Sequence, residues 1–132
     1  MKRRPFLFIC MPITPRDDIK NHAIEFLDNI RRGAEIAVDF INWGASVYCP
    51  GNDIFYWLVG SGPTAEAIYA QDLGIIQRVD ALVTLPGWEK SKNCTREYQS
   101  VVEMNKPIFH YPDEAQELLC FIHFFEEERA NE

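Results

Sequence analysis

A zinc site needs clustered ligands, and this sequence supplies none. Its four cysteines (Cys10, Cys49, Cys94, Cys120) are scattered without a C-x-x-C pair, and the three histidines (His22, His110, His123) do not make up the deficit. The thiols read as reduced and mostly buried, behaving as small hydrophobes, so no metal is expected. G-x-G-x-x-G and the P-loop are both missing, which leaves a dinucleotide or triphosphate cradle of the usual kind unsupported and no cofactor expected. The apolar run Phe6 to Cys10 is far too short for a signal-peptide core or a membrane span, and the cytoplasm is the default compartment. Basic residues are also short: 13 Lys and Arg face 20 Asp and Glu, for a net charge of −7. Phosphate backbones need a basic surface, so nucleic acid is excluded as a partner. Lys2-Arg3-Arg4, the only basic cluster near a terminus, reads as a solvated lead-in. Repeats, low-complexity tracts and linkers are absent, so residues 1–132 form one domain, long enough for a real core.

What the chain does have is an alternation of strand and helix signals. Pro5 to Cys10 reads as a buried first strand, and Pro12 and Pro15 keep Met11 to Asp18 irregular. A helix starting between Asp18 and Asn29 carries Phe26, Ile30, Ala34, Ala37, Val38 and Ile41 as one apolar stripe, and Gly44 ends it. Ala45 to Cys49 is a second strand. Asn52 to Gly62 is aromatic and irregular, with Gly60-Ser61-Gly62 as punctuation; it either covers the core or forms a lid over a planar ligand. Pro63 and Thr64 open a helix to about Arg78, with Ala67, Ile68, Gln71, Ile75 and Val79 on one face and Asp72 beside it. Strands at 81–85 and 107–111 and a last helix follow. Asp113 and Gln116 look like that helix's capping box, Leu118, Leu119, Phe121, Ile122 and Phe125 its buried face, and Glu126 to Glu128 its solvated end. Four strand-helix units give an α/β three-layer sandwich with a parallel sheet ordered 2-1-3-4.

The stretch Asp80 to Glu97 organises the rest. Ala81 to Leu85 is a run that fits a strand buried on both faces, closed by Pro86-Gly87, followed by a polar loop with Trp88 and then a helix with Cys94, Tyr98, Val101 and Val102 at helical spacing. Ligands of open parallel sheets bind beyond the carboxyl ends of the strands, where this loop falls. Glu97 is expected near the helix's first turn, where the helix dipole favours an ionised carboxylate and makes it a candidate nucleophile. Taken singly, Glu97 is as well explained as a dipole partner, Asp72 as an exposed helix carboxylate and Trp88 as a cap on the core.

With those residues placed, the sequence resembles the nucleoside 2-deoxyribosyltransferase-like superfamily, most of all its small phage and bacterial members with a Leu-Pro-Gly-Trp-Glu-x-Ser signature. The matching pieces run in order: Phe8-Ile9-Cys10-Met11-Pro12, Asn29-Ile30-Arg31-Arg32, Asp53 to Leu58, Gln71-Asp72-Leu73, Asp80-Ala81-Leu82, Leu85 to Ser91 through Glu97, and Lys106-Pro107-Ile108. The resemblance implies a flavodoxin-like sheet and cleavage of a nucleoside's N-glycosidic bond, with Glu97 attacking the anomeric carbon and Asp72 assisting proton transfer at the base. An oxocarbenium-like centre needs an anion on one face and a departing base needs a proton, so the pairing is chemically sensible. Phe8 stands where family transferases carry a tyrosine that orients the glutamate; Tyr98, Tyr69 or Tyr56 are the replacements at hand. Ser91 stands where many transferases have an aspartate for the sugar 5′-hydroxyl and where the related 5′-monophosphate hydrolases have serine. A hydroxyl beside Lys90, Lys92 and backbone N–H groups would accept a phosphate that a carboxylate would repel.

The expected substrate is therefore a nucleoside or its 5′-monophosphate, cleaved by hydrolysis or by deoxyribosyl transfer. The alternative is a nucleotide-sensing module with the same pocket and no turnover. Glu97 and Asp72 are the candidate catalytic residues, and Phe8, Cys10, Met11, Pro12, Gly87, Trp88, Ser91 and Asn93 the candidate substrate-binding ones. A homodimer or larger homo-oligomer is expected as well, because Phe26, Phe55, Trp57 and the aromatic last helix offer more apolar surface than so short a chain easily hides.

Overall fold

A computed structural model describes residues 3–13, 22–59 and 61–130, with the side chains of 22, 57, 58 and 126–130 outside that description. The expectations for Thr14 to Asp18, for Gly60, for the Trp57 ring and for the charges of Glu126 to Glu128 fall outside the described residues. The elements are β1 (Phe6–Cys10), α1 (His22–Trp43), β2 (Ser46–Tyr48), a 3₁₀ stretch (Pro50–Leu58), α2 (Ala65–Ile76), β3 (Ala81–Thr84), a 3₁₀ turn (Trp88–Lys90), α3 (Lys92–Glu103), β4 (Ile108–His110) and α4 (Ala115–Ala130). All three strand pairings are parallel and the sheet order is β2-β1-β3-β4, the α/β sandwich that the alternation predicts.

Side chains of a strand alternate between faces, and the central strands divide two cores accordingly. Leu7, Ile9, Ala81 and Val83 pack with Ala37 and Phe40 of α1 and Leu118 and Ile122 of α4. Phe8, Cys10 and Leu82 pack on the other face with Ile76 of α2 and Cys94 and Val101 of α3. Phe40 is fully buried, and truncating such a ring to Ala costs about 3–5 kcal/mol.

The stripe of α1 sits differently from its sequence reading. Val38 and Ile41 are about half exposed, while Asn29, Gly33, Ala37 and Phe40 form the buried side. Two polar or small residues displaced the apolar count. The Asn29 side chain donates to the Ile13 carbonyl at 3.1 Å, and Gly33 leaves room for Met11, whose Sδ would collide with an added Cβ. Ile24, Leu27, Val38 and Ile41 consequently share one solvent-facing side of the helix. The residues after Pro50, expected to be irregular, form the 3₁₀ stretch, with Phe55 exposed. Leu119 of α4 and Val102 of α3 are also more exposed than their spacing suggests. Asp113 lies before the first turn of α4; Glu114 is the residue in use there, its carboxylate accepting the His110 N–H at 2.9 Å.

Helix ends fix where the loops leave the sheet. Gly44, at φ 113°, closes α1 with paired bonds from its own N–H to Ile41 and from Ala45 N–H to Phe40. Thr64 caps α2 by accepting the Ala67 N–H. Lys106, just before β4, reaches back to the carbonyls of Ile76, Gln77 and Val79, holding the carboxyl end of α2 against the sheet.

Candidate active site

The loops that follow β1, β2 and β3 open at one edge, and α2 and α3 wall a cavity there of about 390 Å³. That volume is in the usual range for a small-molecule pocket. Met11 and Ile13 come from the end of β1, Asp53 and Ile54 from the 3₁₀ stretch, Tyr69 and Asp72 from α2, and Ser91, Asn93, Arg96 and Glu97 from the start of α3. The structure thus brings Glu97, Asp72, Met11, Ser91 and Asn93 together.

The remaining sequence candidates stand elsewhere. Phe8 is fully buried beneath the cavity, packed on Tyr48 with ring centroids 5.5 Å apart. Cys10 is also fully buried, its thiol donating to the Cys94 carbonyl at 3.4 Å. Gly87, at φ 92°, abuts Pro12, so the loops after β1 and β3 do meet, but neither residue lines the cavity. Trp88 faces a separate crevice between the loops after β3 and β4, stacked on His110 at 5.7 Å and tilted against Tyr98 at 4.5 Å. Aromatic neighbours captured it, and it does not flank the carboxylates.

Glu97 differs from its expectation in both position and charge. Ser91 is the N-cap of α3 and accepts the Cys94 N–H at 3.3 Å, which puts Glu97 in the helix's second turn. The dipole fades beyond the first turn, whereas burial acts at full strength on a side chain only 5% exposed. Desolvation, followed by the negative neighbours Cys94 and Asp72, raises the Glu97 pKa to about 9. It is a protonated acid at neutral pH.

Asp72 belongs to a second, linked group. It is 7% exposed, and burial together with the adjacent Asp53 lifts its pKa to about 7. The Tyr48 hydroxyl donates to Asp53 Oδ1 and lies 3.3 Å from Asp72 Oδ1. Burial and then the Asp53 bond drive the Tyr48 phenol well above its ordinary value, so it stays a donor. Asp53 Oδ2 is buried and accepts no bond from a donor among the described residues, which leaves it for a proton on Asp72 or for a ligand.

Tyr48, Asp53 and Arg96 are contributions that sequence reasoning overlooked, and of the three tyrosines offered in place of a hydroxyl at Phe8 only Tyr69 lines the cavity. Tyr48 pairs with Phe8 in the parallel register, so a hydroxyl absent from β1 is present one strand away, directed at the aspartates. Asp53, three residues beyond Pro50 at the end of β2, was the visible signal, since strand ends in this architecture border ligands. Arg96 lies over the Tyr69 ring at 3.5 Å on the cavity wall. Lys90 and Lys92 do not line the cavity; among the described residues Arg96 is the cation on its wall, and Ser91 contributes a hydroxyl.

The cavity therefore has two poles. Asp53, Asp72 and Glu97 make an acidic, proton-rich floor, and Ser91, Asn93 and Arg96 at the start of α3 make an anion-accepting rim. Two sulfurs, of Cys10 and Cys94, stand close behind Glu97; the thiol of Cys10 is pushed up by the Cys94 side chain and by burial, and that of Cys94 down by the Cys10 side chain. No family model and no curated protein matches the chain.

Proposed function

We propose that the chain cleaves the N-glycosidic bond of a nucleoside 5′-monophosphate, by hydrolysis or deoxyribosyl transfer, as its resemblance to the nucleoside 2-deoxyribosyltransferase-like superfamily implies. One observation carries the reading: Glu97 and Asp72 share a cavity that Ser91 and Arg96 also line. Glu97 approaches the anomeric carbon and Asp72 delivers the proton to the departing base. Asp53 and Tyr48 hold that proton source in place. Ser91 keeps its lone pair on the Cys94 N–H and donates its own proton to a phosphate oxygen, with Arg96 as the counter-charge.

Two observations favour a second reading, nucleotide binding without turnover. Phe8 gives Glu97 no hydroxyl partner, and the more strongly raised carboxyl is the one that must lose its proton to attack. Incubation with a panel of nucleoside monophosphates and free nucleosides, monitored for released base and in parallel for thermal stabilisation, separates the two. Release from a monophosphate supports the enzyme. Stabilisation without release selects the sensor, and neither response ends both.

The working unit in this reading is a homodimer or larger homo-oligomer in the cytoplasm. Ile24, Leu27, Val38 and Ile41 give α1 an apolar outer face for a second copy, and the buried free thiols suit a reducing compartment. A sedimentation mass equal to the 15.3 kDa chain at micromolar concentration contradicts the assembly. Among the described residues, no helix is long and apolar enough to cross a membrane.

A further inference from the structure

We infer that Cys10, Cys94 and Glu97 form a binding site for a thiophilic divalent cation of the zinc class. The fold assembles what the sequence leaves apart. Cys10 ends β1, and Cys94 and Glu97 stand three residues apart on the inner face of α3, so one strand end and one helix turn converge. The two sulfurs and a carboxylate oxygen all lie within 4.8 Å of one another, and each residue is at least 95% buried. Zinc holds sulfur at about 2.3 Å and carboxylate oxygen at about 2.0–2.2 Å, so tetrahedral ligands sit roughly 3.5–4 Å apart. The three side chains reach that spacing by rotamer-scale adjustment rather than by moving backbone.

The surroundings suit a metal better than a packing role alone. A carboxyl is costly to bury, and Glu97 is held at 5% exposure against two sulfurs. Glu97 also borders the cavity, which gives the ion an entry path and leaves a fourth position for water, the arrangement of open rather than closed zinc sites. Binding exchanges the ion's waters for two thiolates and a carboxylate, and the displaced protons leave to solvent through the cavity. Soft sulfur ligands select zinc, cadmium or cobalt over magnesium or calcium.

This inference does not depend on the glycosidic reading, although it bears on it. An ion on Glu97 occupies the electrons a nucleophile would use, so the loaded protein should release no base even if the metal-free protein does.

The test is a titration of reduced, chelator-treated full-length protein with Co²⁺, and with Zn²⁺ against a chromophoric chelator, in the absence of any nucleotide. The expected result is one ion per chain and the intense absorption of cobalt–thiolate charge transfer. Cys10→Ser and Cys94→Ser should each weaken binding at least about 100-fold, exceeding the 10–100-fold cost of losing a group that only orients a ligand. Cys120→Ser, which removes the exposed thiol, should bind as the wild type does. Cobalt binding without the thiolate band, or zinc affinity unchanged in the two serine variants, overturns the site. Should either variant fail to fold, the wild-type cobalt spectrum decides alone. Because no substrate is present, failure here leaves the glycosidic reading untouched, and the reverse also holds.

Discussion

Two openings lie along the carboxyl edge of the same sheet. One, bordered by Glu97, Asp72 and Asp53, has about 390 Å³; the other, around Trp88 and His110, is larger at about 660 Å³. Volume does not decide which can do chemistry. In the Trp88 crevice the inner polar groups of Thr84 and His110 are already paired: Thr84 Oγ1 bonds His110 Nδ1 at 2.6 Å, Glu114 takes the His110 N–H, and Trp88 covers the ring. Around Glu97, buried carboxyls hold protons at raised pKa values and Asp53 Oδ2 has no donor among the described residues. Unspent hydrogen-bonding capacity and displaced protons, rather than space, separate a site prepared for a ligand from a packed seam.

The most severe way to break that contrast is to remove the carboxyl itself. Glu97→Ala should lower base release by at least about 1,000-fold, more than the 10²–10³ typical of losing one electrostatic contact. Glu97→Gln should do the same while making the protein more stable. The carboxyl's folded pKa lies above its unfolded value, so its stabilising contribution is complete below about 4.5 and is lost as pH rises toward about 9. The amide escapes that loss, and its melting-temperature advantage should grow across this interval, with a gain of about 1–3 kcal/mol near pH 8. Equal stability of the two proteins at every pH would show that Glu97 is not desolvated.

Asp72 comes next. Between about pH 7 and about 9 the Glu97–Asp72 pair holds a single proton, mostly on Glu97, and the minor form with that proton on Asp72 is the one that can both attack and protonate. kcat/KM should therefore peak near pH 8 and fall on both sides, and Asp72→Asn should lower it about 100-fold with loss of the limb near pH 7. A bell retained in Asp72→Asn would assign that limb to another group.

The contrast between the openings also explains what the sequence could reveal. Sheet order was readable because buried parallel strands are short apolar runs whose order follows from few connections. Glu97 could be named because it follows a strand-end loop, whereas Asp72 was named only through the family resemblance, since by itself it reads as an exposed helix carboxylate. Trp88 misled because a large aromatic in a loop has no periodicity to show which of two adjacent openings it faces; Tyr98 and His110, distant in sequence, decided that. Asp53 and Tyr48 were passed over because their importance lies in a contact that joins a strand, the 3₁₀ stretch and a helix. The protonation of Glu97 was also out of reach, since proximity to a helix start is local whereas desolvation depends on the whole fold.

Ser91 permits a milder, more selective change. Aspartate is as good an N-cap as serine, so Ser91→Asp should preserve the start of α3 and the melting temperature. Its charge opposes a phosphate but accepts a free 5′-hydroxyl. Preference for monophosphate over nucleoside, measured as a ratio of kcat/KM values, should fall by about 10- to 100-fold, equivalent to roughly 1.4–2.7 kcal/mol. An unchanged ratio would move the phosphate from this rim.

Trp88→Leu should produce the smallest effect on turnover, and it tests the other half of the comparison. The ring contacts Tyr98 and His110 and lines only the outer crevice, so its loss removes stacking and apolar area. The expected cost is about 1–2 kcal/mol of stability, near the upper range for an aromatic pair together with partial burial. Base release from a monophosphate should stay within roughly threefold of wild type, because a shift of that size corresponds to well under 1 kcal/mol at the transition state. Tyr98 follows Glu97 in α3, so a small change in KM is admissible if the helix start relaxes. A loss in kcat comparable with that of Asp72→Asn, at an unchanged melting temperature, would mean instead that the indole reaches the bound base and that the two openings work as one site.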